Sequence, residues 1–204
     1  GNPENRRRFV LEVYHAMRAQ VGPDFPVSIK LNSADFQRGG FSEDESLDTI
    51  RALADAGIDL LEISGGNYEE PAMTGIAIKE STKMREAYFM DFAEKARKVC
   101  TIPIAVTGGF RTAEGMANAI SSNAVDFVGI ARHLAIETDV PNKLLSGKLP
   151  KHSVKPIKTG IPMIDNMGIM EVSWYSAQLK RIGNGKKPNV DASPFLEFLK
   201  SIFH

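Results

Sequence analysis

Apolar residues stand three or four positions apart through the first segment of the chain, which predicts a helix over residues 3–20. Gly22-Pro23 ends this helix. Residues 43–56 repeat the spacing and are followed by Gly57, at the position where many helices end in a glycine. The same periodicity predicts further helices over residues 84–99, 112–122, 132–145 and 165–181.

Four short apolar runs alternate with these helices, at residues 27–31, 59–64, 104–107 and 125–130. Their apolar residues are continuous rather than alternating, which is typical of a parallel sheet that is buried on both faces. The repeated order of strand, glycine-bearing loop and helix predicts an α/β fold with one parallel sheet. That sheet is either an open doubly wound sheet or part of a closed barrel.

The parallel order also predicts where the strand ends lie. Right-handed crossovers bring the carboxyl ends of the strands to one edge, so we expect Lys30, Ser64, Thr107 and Ala131 near that edge. Residues 1–150 contain the four strand–helix units. Residues 151–204 differ in composition, with an irregular stretch before a helix, and are expected to form a helical extension that packs on the barrel.

Composition excludes several classes of function. The 204 residues include 25 Lys plus Arg and 25 Asp plus Glu, so no net charge attracts nucleic acid or an anionic membrane surface. No apolar run reaches the ~20 residues that span a bilayer. Cys100 is the single cysteine and is interpreted as a packing residue, and the four histidines show no metal-ligand spacing. Because the first residues contain no apolar leader, a cytoplasmic protein is expected.

Two glycine-bearing loops follow the last two strands, where parallel α/β folds bind their ligands. Thr107-Gly108-Gly109-Phe110 follows the third strand, and Gly129-Ile130-Ala131-Arg132 closes the fourth. Glycines let backbone N–H groups approach an anion, and an arginine can donate to two phosphate oxygens at once. We therefore predict a phosphate site at these adjacent loops. Two ordinary turns beside a surface arginine are the alternative.

Two further features lie at the first two strands. Lys30 stands inside an otherwise apolar run and must reach a polar partner, because an unpaired buried ammonium is costly. That partner is a ligand or a carboxylate within the barrel. Ser64-Gly65-Gly66 ends the second strand and could line a ligand, or could be only a flexible loop.

The order of these motifs resembles a known family. Gly1-Asn2-Pro3-Glu4-Asn5-Arg6-Arg7-Arg8-Phe9 is similar to the Gly-Gly-Ser-x-Glu-Asn-Arg-x-Arg-Phe signature of old yellow enzyme (NADH:flavin oxidoreductase) relatives. In that family the signature begins the helix after the fourth strand of a TIM barrel. Four later segments follow in the family's order and rough spacing, at residues 29–33, 62–66, 106–111 and 126–132.

The resemblance implies FMN as the cofactor and NADH or NADPH as the reductant of a small-molecule substrate. Lys30 matches the basic residue near flavin N1/O2, and three residues match a loop near the flavin: Ser64, Gly65 and Gly66. Ala131 stands where the family commonly has glycine. The residues that match the phosphate cradle are Gly108, Gly109, Ala131 and Arg132.

The resemblance also implies that the chain corresponds to the second half of the barrel. The family's substrate-anchoring histidine pair lies before the Glu-Asn-Arg signature, so that pair is expected outside this chain and no catalytic residue is assigned within it. The implied reaction is hydride transfer from NAD(P)H through FMN to an enone, a quinone or a flavin. The alternatives are an inert half-barrel that associates with itself and another FMN barrel of the dihydroorotate dehydrogenase kind.

A half-barrel leaves sheet edges and an inner face without cover. We expect parts of Ile29, Leu31, Ile63 and Val106 to form an apolar patch on that inner face. A second copy, or a separate amino-terminal half-barrel, is the expected partner that covers it. The alternative is that the carboxyl-terminal helices of the chain fold over it.

Overall fold

The computed structural model describes residues 1–65, 89–160, 165 and 169–202. They divide into two compact units, Gly1–Gly129 and Ile130–His204. This division lies between Gly129 and Ile130, whereas the sequence suggests a boundary at residue 150. That residues 151–204 pack on a barrel as an extension stays a prediction.

Secondary structure follows the predicted order of helices and strands closely. Helix Glu43–Ala56 and strand Ile104–Thr107 have the predicted bounds. The beginning of the helix predicted over residues 84–99 lies outside the described residues. In chain order, the elements are α1 Pro3–Val21, β1 Ser28–Asn32, α2 Glu43–Ala56, β2 Leu60–Ser64, α3 Met90–Arg97, β3 Ile104–Thr107, α4 Ala113–Ser121, β4 Phe127–Gly129, α5 Arg132–Ile136, α6 Val140–Leu145, α7 Ile169–Gly183 and α8 Pro194–Ile202.

Helix α2 shows why the local sequence determines the helix bounds. The Ser42 hydroxyl accepts from the backbone N–H of Glu45 at 3.3 Å, and the Glu45 carboxylate accepts from the Ser42 N–H at 3.1 Å. These reciprocal bonds satisfy N–H groups that the first helical turn would leave without partners. Gly57 ends the helix at φ 93°, a left-handed conformation that glycine adopts without strain.

The four strands form one parallel sheet in the order β1-β2-β3-β4, which confirms the prediction of a single parallel sheet. Lys30 pairs in register with Glu62, and Asn32 pairs with Ser64. Further along the sheet, Thr107 pairs with Gly129. Ser64 and Thr107 are thus the last residues of β2 and β3, and Lys30 is the middle residue of β1.

The prediction of an apolar patch on the inner face is wrong. Ile63 and Val106 are fully buried, and they share the sheet face against which the helices of this unit pack. The opposite face, called the inner face here, carries Lys30, Glu62 and Phe127, and Phe127 is 56% exposed. Alternate residues of a strand point to opposite faces of the sheet, and a continuous apolar run does not reveal which face the helices cover. Here the helices cover the face whose strand residues are all apolar.

A repeated ion pair ties helices to the amino-terminal ends of the strands. Arg18 of α1 pairs with Asp59, which also accepts the backbone N–H of Val27 at 2.7 Å. Arg97 of α3 pairs with Asp126 in the same way, and Asp126 accepts the N–H of Ile104 at 2.8 Å. Each aspartate thus joins a helix to two successive strands, at the end of the sheet that usually serves stability.

The second unit consists of helices and irregular chain. The predicted helical stretch to residue 145 is two short helices, because Pro141 cannot continue a helix from the residues before it. The carboxylate of Glu137 accepts the backbone N–H groups of Lys151 at 2.8 Å and His152 at 3.1 Å, which holds the irregular segment. Helix α8 was not predicted. Within the described ranges, no helix combines the length and hydropathy needed to cross a membrane.

Candidate functional site

Lys30 forms an ion pair on the inner face. Its Nζ lies 2.6 Å from Oε1 of Glu62, the residue in register with it on β2. Desolvation alone would raise the pKa of Glu62, but hydrogen bonds from Lys30 and Thr107 and the charge of Lys30 outweigh it, so the pKa is lowered. Glu62 is a site residue that the sequence analysis missed, whereas Thr107, which was expected at this edge, donates a hydrogen bond to it. The single glutamate within the apolar run of β2 was the signal that could have identified Glu62.

The ion pair identifies one polar partner of Lys30, the carboxylate of Glu62. The lysine side chain is 47% exposed, so its ammonium is not buried and still has donors for a second partner. The expected carboxylate partner is present, so the ion pair is neutral as a whole, while the ammonium keeps N–H groups that can donate to a bound anion. A positive charge held by a neighbouring strand can act as a fixed point charge toward a bound anion.

The end of β2 is closely packed. Ser33 donates its backbone N–H to the carbonyl of Ser64 at 2.7 Å, and both serines are buried. A Cβ on Gly65 would lie 2.9 Å from Oγ of Ser33 and against the ring of Phe89, so only glycine fits there. Among the described residues, the Ser33 hydroxyl has no hydrogen-bond partner although it is 1% exposed. Gly66 lies outside the described residues.

The loop after β3 has the backbone conformation that the sequence suggested. Gly108 and Gly109 have φ angles of 117° and 88°, which residues with side chains adopt only under strain. Phe110 is buried and anchors the loop, and the hydroxyl of Thr112 caps α4 by accepting from the N–H of Gly115 at 3.0 Å. A glycine turn of this kind allows backbone N–H groups to approach an anion closely.

The segment after β4 belongs to the second compact unit. Ala131 has a φ of −119°, which alanine adopts without strain, so the departure from the family's glycine costs nothing in backbone conformation. Nη1 of Arg132 lies 3.4 Å from Oε2 of Glu171 on α7. Glu171 is a second residue that the sequence analysis missed, because it is separated from Arg132 by 39 positions.

The structure describes seven of the eight residues predicted to bind the cofactor. Five of them lie in the first unit, and Ala131 and Arg132 lie in the second. Their assignment to FMN stays a prediction. What the geometry provides is a set of donors suited to an anionic, partly polar ligand: a cation, a buried hydroxyl, and glycine peptides at strand ends.

Comparison with known proteins identifies the family. The NADH:flavin oxidoreductase / NADH oxidase family matches residues 1–151. The NADH-dependent flavin oxidoreductase nadA of Aspergillus parasiticus is 34% identical over 195 residues, which are 95% of this chain and 42% of that protein. The related iliE protein of Hypocrea jecorina is 34% identical over 86% of this chain and 46% of its own length. The chain thus spans less than half of these relatives.

Solved structures agree on the fold. A 2-naphthoyl-CoA reductase complex superposes with a TM-score of 0.65 at 25% identity, over 72% of this chain and 22% of that one. The old yellow enzyme homologue of Zymomonas mobilis has a TM-score of 0.55 at 18% identity, over 77% and 40% of the two chains, and shows the TIM-barrel fold alone. With a family match over three quarters of its length and this parallel sheet, the chain belongs to the NADH:flavin oxidoreductase / NADH oxidase family.

Proposed function

We propose that this chain is the FMN-binding part of an NAD(P)H-dependent flavin oxidoreductase, which passes a hydride to an enone, a quinone or a flavin. The observation that carries the proposal is the pair Gly108-Gly109, with two successive positive φ angles directly after a strand of the parallel sheet. In a chain of this family, such a loop is suited to hold the phosphate of the cofactor. The family match favours this function over the dihydroorotate dehydrogenase alternative.

Each described residue has a separate task in this proposal. The N–H groups of Gly108 and Gly109 are the proposed phosphate ligands in the first unit, and the guanidinium of Arg132 is the proposed phosphate ligand in the second. The ammonium of Lys30 supplies a positive charge to the flavin, and Glu62 holds that ammonium in place. The Ser33 hydroxyl offers a buried donor beside Ser64 and Gly65. When bound, FMN supplies the chemistry of hydride acceptance and donation.

The reductant is NADH or NADPH, and the relatives named NADH-dependent flavin oxidoreductases support NADH. Reduction of the cofactor adds negative charge to it, and a cation stabilises the charged form. Lys30 would therefore bind the reduced cofactor better than the oxidised one. A Lys30→Met variant should retain FMN but lower its reduction potential, which a spectroelectrochemical titration measures.

Fluorescence titration of FMN tests the proposed phosphate site. Arg132→Ala should weaken FMN binding by about 1.5–3 kcal/mol, roughly 10- to 150-fold, because a charged hydrogen bond is lost. Arg51→Ala is a matched control, since it also removes one exposed arginine, which pairs with Asp48 on α2. Equal affinity in the wild type and the Arg132 variant would refute the assignment of the phosphate to this residue.

A second candidate function is that of a half-barrel that associates with a partner, either a second copy or a separate amino-terminal half. The observation that favours it is an apolar stripe on α1. Its residues are four positions apart and so share one face of the helix, a pattern typical of a packed face, but this face is exposed. The exposed fractions of its members are 76%, 41%, 48% and 42% for Phe9, Val13, Met17 and Val21.

Light scattering, flavin absorbance and NADH oxidation, all measured on the purified chain, separate the two possible functions. A colourless oligomer without NADH oxidation supports the inert half-barrel, and a yellow, NADH-oxidising preparation supports the enzyme. Met17→Glu should weaken self-association because it places a charge in the stripe, while Ala19→Glu, at an exposed position off the stripe, should not. A monomeric wild-type chain would contradict the proposed association of copies.

A further inference from the structure

Arg132 is held by one end of its guanidinium. Nη1 lies 3.4 Å from Oε2 of Glu171, and the two side chains are 30% and 26% exposed. Among the described residues, Arg132 makes no other hydrogen bond, although a guanidinium has five N–H donors. The contact with the carboxylate therefore occupies one nitrogen, and the other N–H groups can still donate to two oxygens of one group.

Of the two residues in this pair, Glu171 is on the more firmly packed helix. It lies in the first turn of the 15-residue helix α7, between Met170 and Trp174, which are 1% and 3% exposed. The indole N–H of Trp174 donates to the carbonyl of Ala192 at 2.9 Å, which fixes that face of the helix. Arg132, in contrast, begins a five-residue helix whose first turn has no side-chain cap.

A second group on α7 lies near the same guanidinium. Tyr175 is one helical turn beyond Glu171, and it packs edge-to-face on Trp174 with ring centroids 5.0 Å apart. Burial raises the pKa of Tyr175, while the charge of Arg132 lowers it and that of Glu171 raises it, so both charges act on this phenol. The guanidinium thus faces a packed surface of α7 rather than open solvent.

We propose that Glu171 is a positioning residue for Arg132. Its carboxylate accepts one N–H of the guanidinium and thereby presents the opposite edge to the phosphate. The inference rests on the proposed function, in which Arg132 binds the phosphate of FMN. The competing role is that Glu171 blocks Arg132. A blocking carboxylate would form a bidentate pair that occupies two N–H donors of the guanidinium. The contact here uses one nitrogen, which favours the positioning role.

Two substitutions separate the orienting hydrogen bond from the negative charge. Glu171→Ala removes both, so FMN affinity should fall about three- to tenfold, the equivalent of one ordinary hydrogen bond. Glu171→Gln keeps an acceptor and removes a charge that repels phosphate, so its affinity should equal or exceed that of the wild type. Riboflavin, which lacks the phosphate, should bind all variants equally. Glu197→Ala is the control, because it removes a carboxylate that pairs with Lys200 on α8.

The outcomes distinguish this inference from the proposed function. Weaker FMN binding in Arg132→Ala with unchanged or tighter binding in Glu171→Ala overturns the inference alone. A Glu171→Gln variant as weak as Glu171→Ala also overturns it. Unchanged binding in Arg132→Ala overturns the proposed phosphate site, and the inference with it. If Glu171→Ala fails to fold, Glu171→Asp takes its place, since the shorter side chain withdraws the acceptor and must also weaken FMN binding.

Discussion

Gly129 is the position where one added methyl group should disturb the sheet most. It ends β4 and pairs in register with Thr107 of β3. A Cβ at this position would overlap Oγ1 of Thr107 and lie 2.8 Å from its Cβ and 3.1 Å from its Cγ2. Because Cβ of Thr107 is fixed by the backbone, a rotamer change moves Oγ1 and Cγ2 but leaves the contact of 2.8 Å in place.

The cost of Gly129→Ala follows from these contacts. Overpacking of a well-packed site costs about 1–3 kcal/mol. Displacement of Thr107 also removes its hydrogen bond to Glu62, which contributes about 1 kcal/mol. We therefore expect the free energy of unfolding to fall by about 2–4 kcal/mol, a large part of the 5–15 kcal/mol that stabilises most domains.

Urea unfolding followed by circular dichroism measures this change. The single tryptophan, Trp174, lies in the other compact unit and would not report on the sheet directly. In a Thr107→Ala background the cost of Gly129→Ala should fall to about half, because Oγ1 and Cγ2 are gone and only Cβ still interferes. Gly183→Ala is the control, since no atom lies within 4 Å of its added Cβ. A neutral Gly129→Ala, or an equal cost in both backgrounds, would refute the reasoning.

Two further predictions concern charge. The backbone hydrogen bond from Val27, and then Arg18, lower the pKa of Asp59 below its ordinary 3.8, so its contribution to stability is present above that value and is lost as the pH falls through the folded pKa. Asp59→Asn should therefore flatten the decline in thermal midpoint between pH 5 and pH 3, and an unchanged decline would contradict the pairing. Removal of the Lys30 ammonium by Lys30→Gln should raise the pKa of Glu62, because desolvation then acts with less opposition. An NMR titration that finds the same Glu62 pKa in both proteins would show that the ion pair is absent in solution.

Local sequence signals were sufficient for the longest elements. The bounds of α2 are set by Ser42, Glu45 and Gly57, which act within one turn of the chain, so the sequence predicts them well. Helix α8 was not predicted from the sequence, and in the structure it packs against α7. A hydrogen bond between Ser201 and Ser173 at 3.1 Å is one such tertiary contact.

The candidate site likewise has a part that could be predicted from the sequence and a part that could not. The glycine-bearing loop after β3 could be predicted from residue type, and both glycines have positive φ angles, which glycine adopts without strain. The partners of Lys30 and Arg132 could not be predicted, because Glu62 and Glu171 are 32 and 39 positions away and meet them only through the fold. The helix-covered side of the sheet was also hidden, since apolar residues occupy both parities of the strands.

The central claim is that loops of this chain hold FMN by its phosphate. The most direct test is calorimetric titration of the wild type and the Arg132→Ala variant with FMN and with riboflavin, which differ only in the phosphate group. The account predicts that FMN binds the wild type roughly 10-fold or more tightly than riboflavin does, and that Arg132→Ala removes most of this difference while riboflavin affinity stays the same. Equal affinity of the wild type for FMN and riboflavin would contradict the claim.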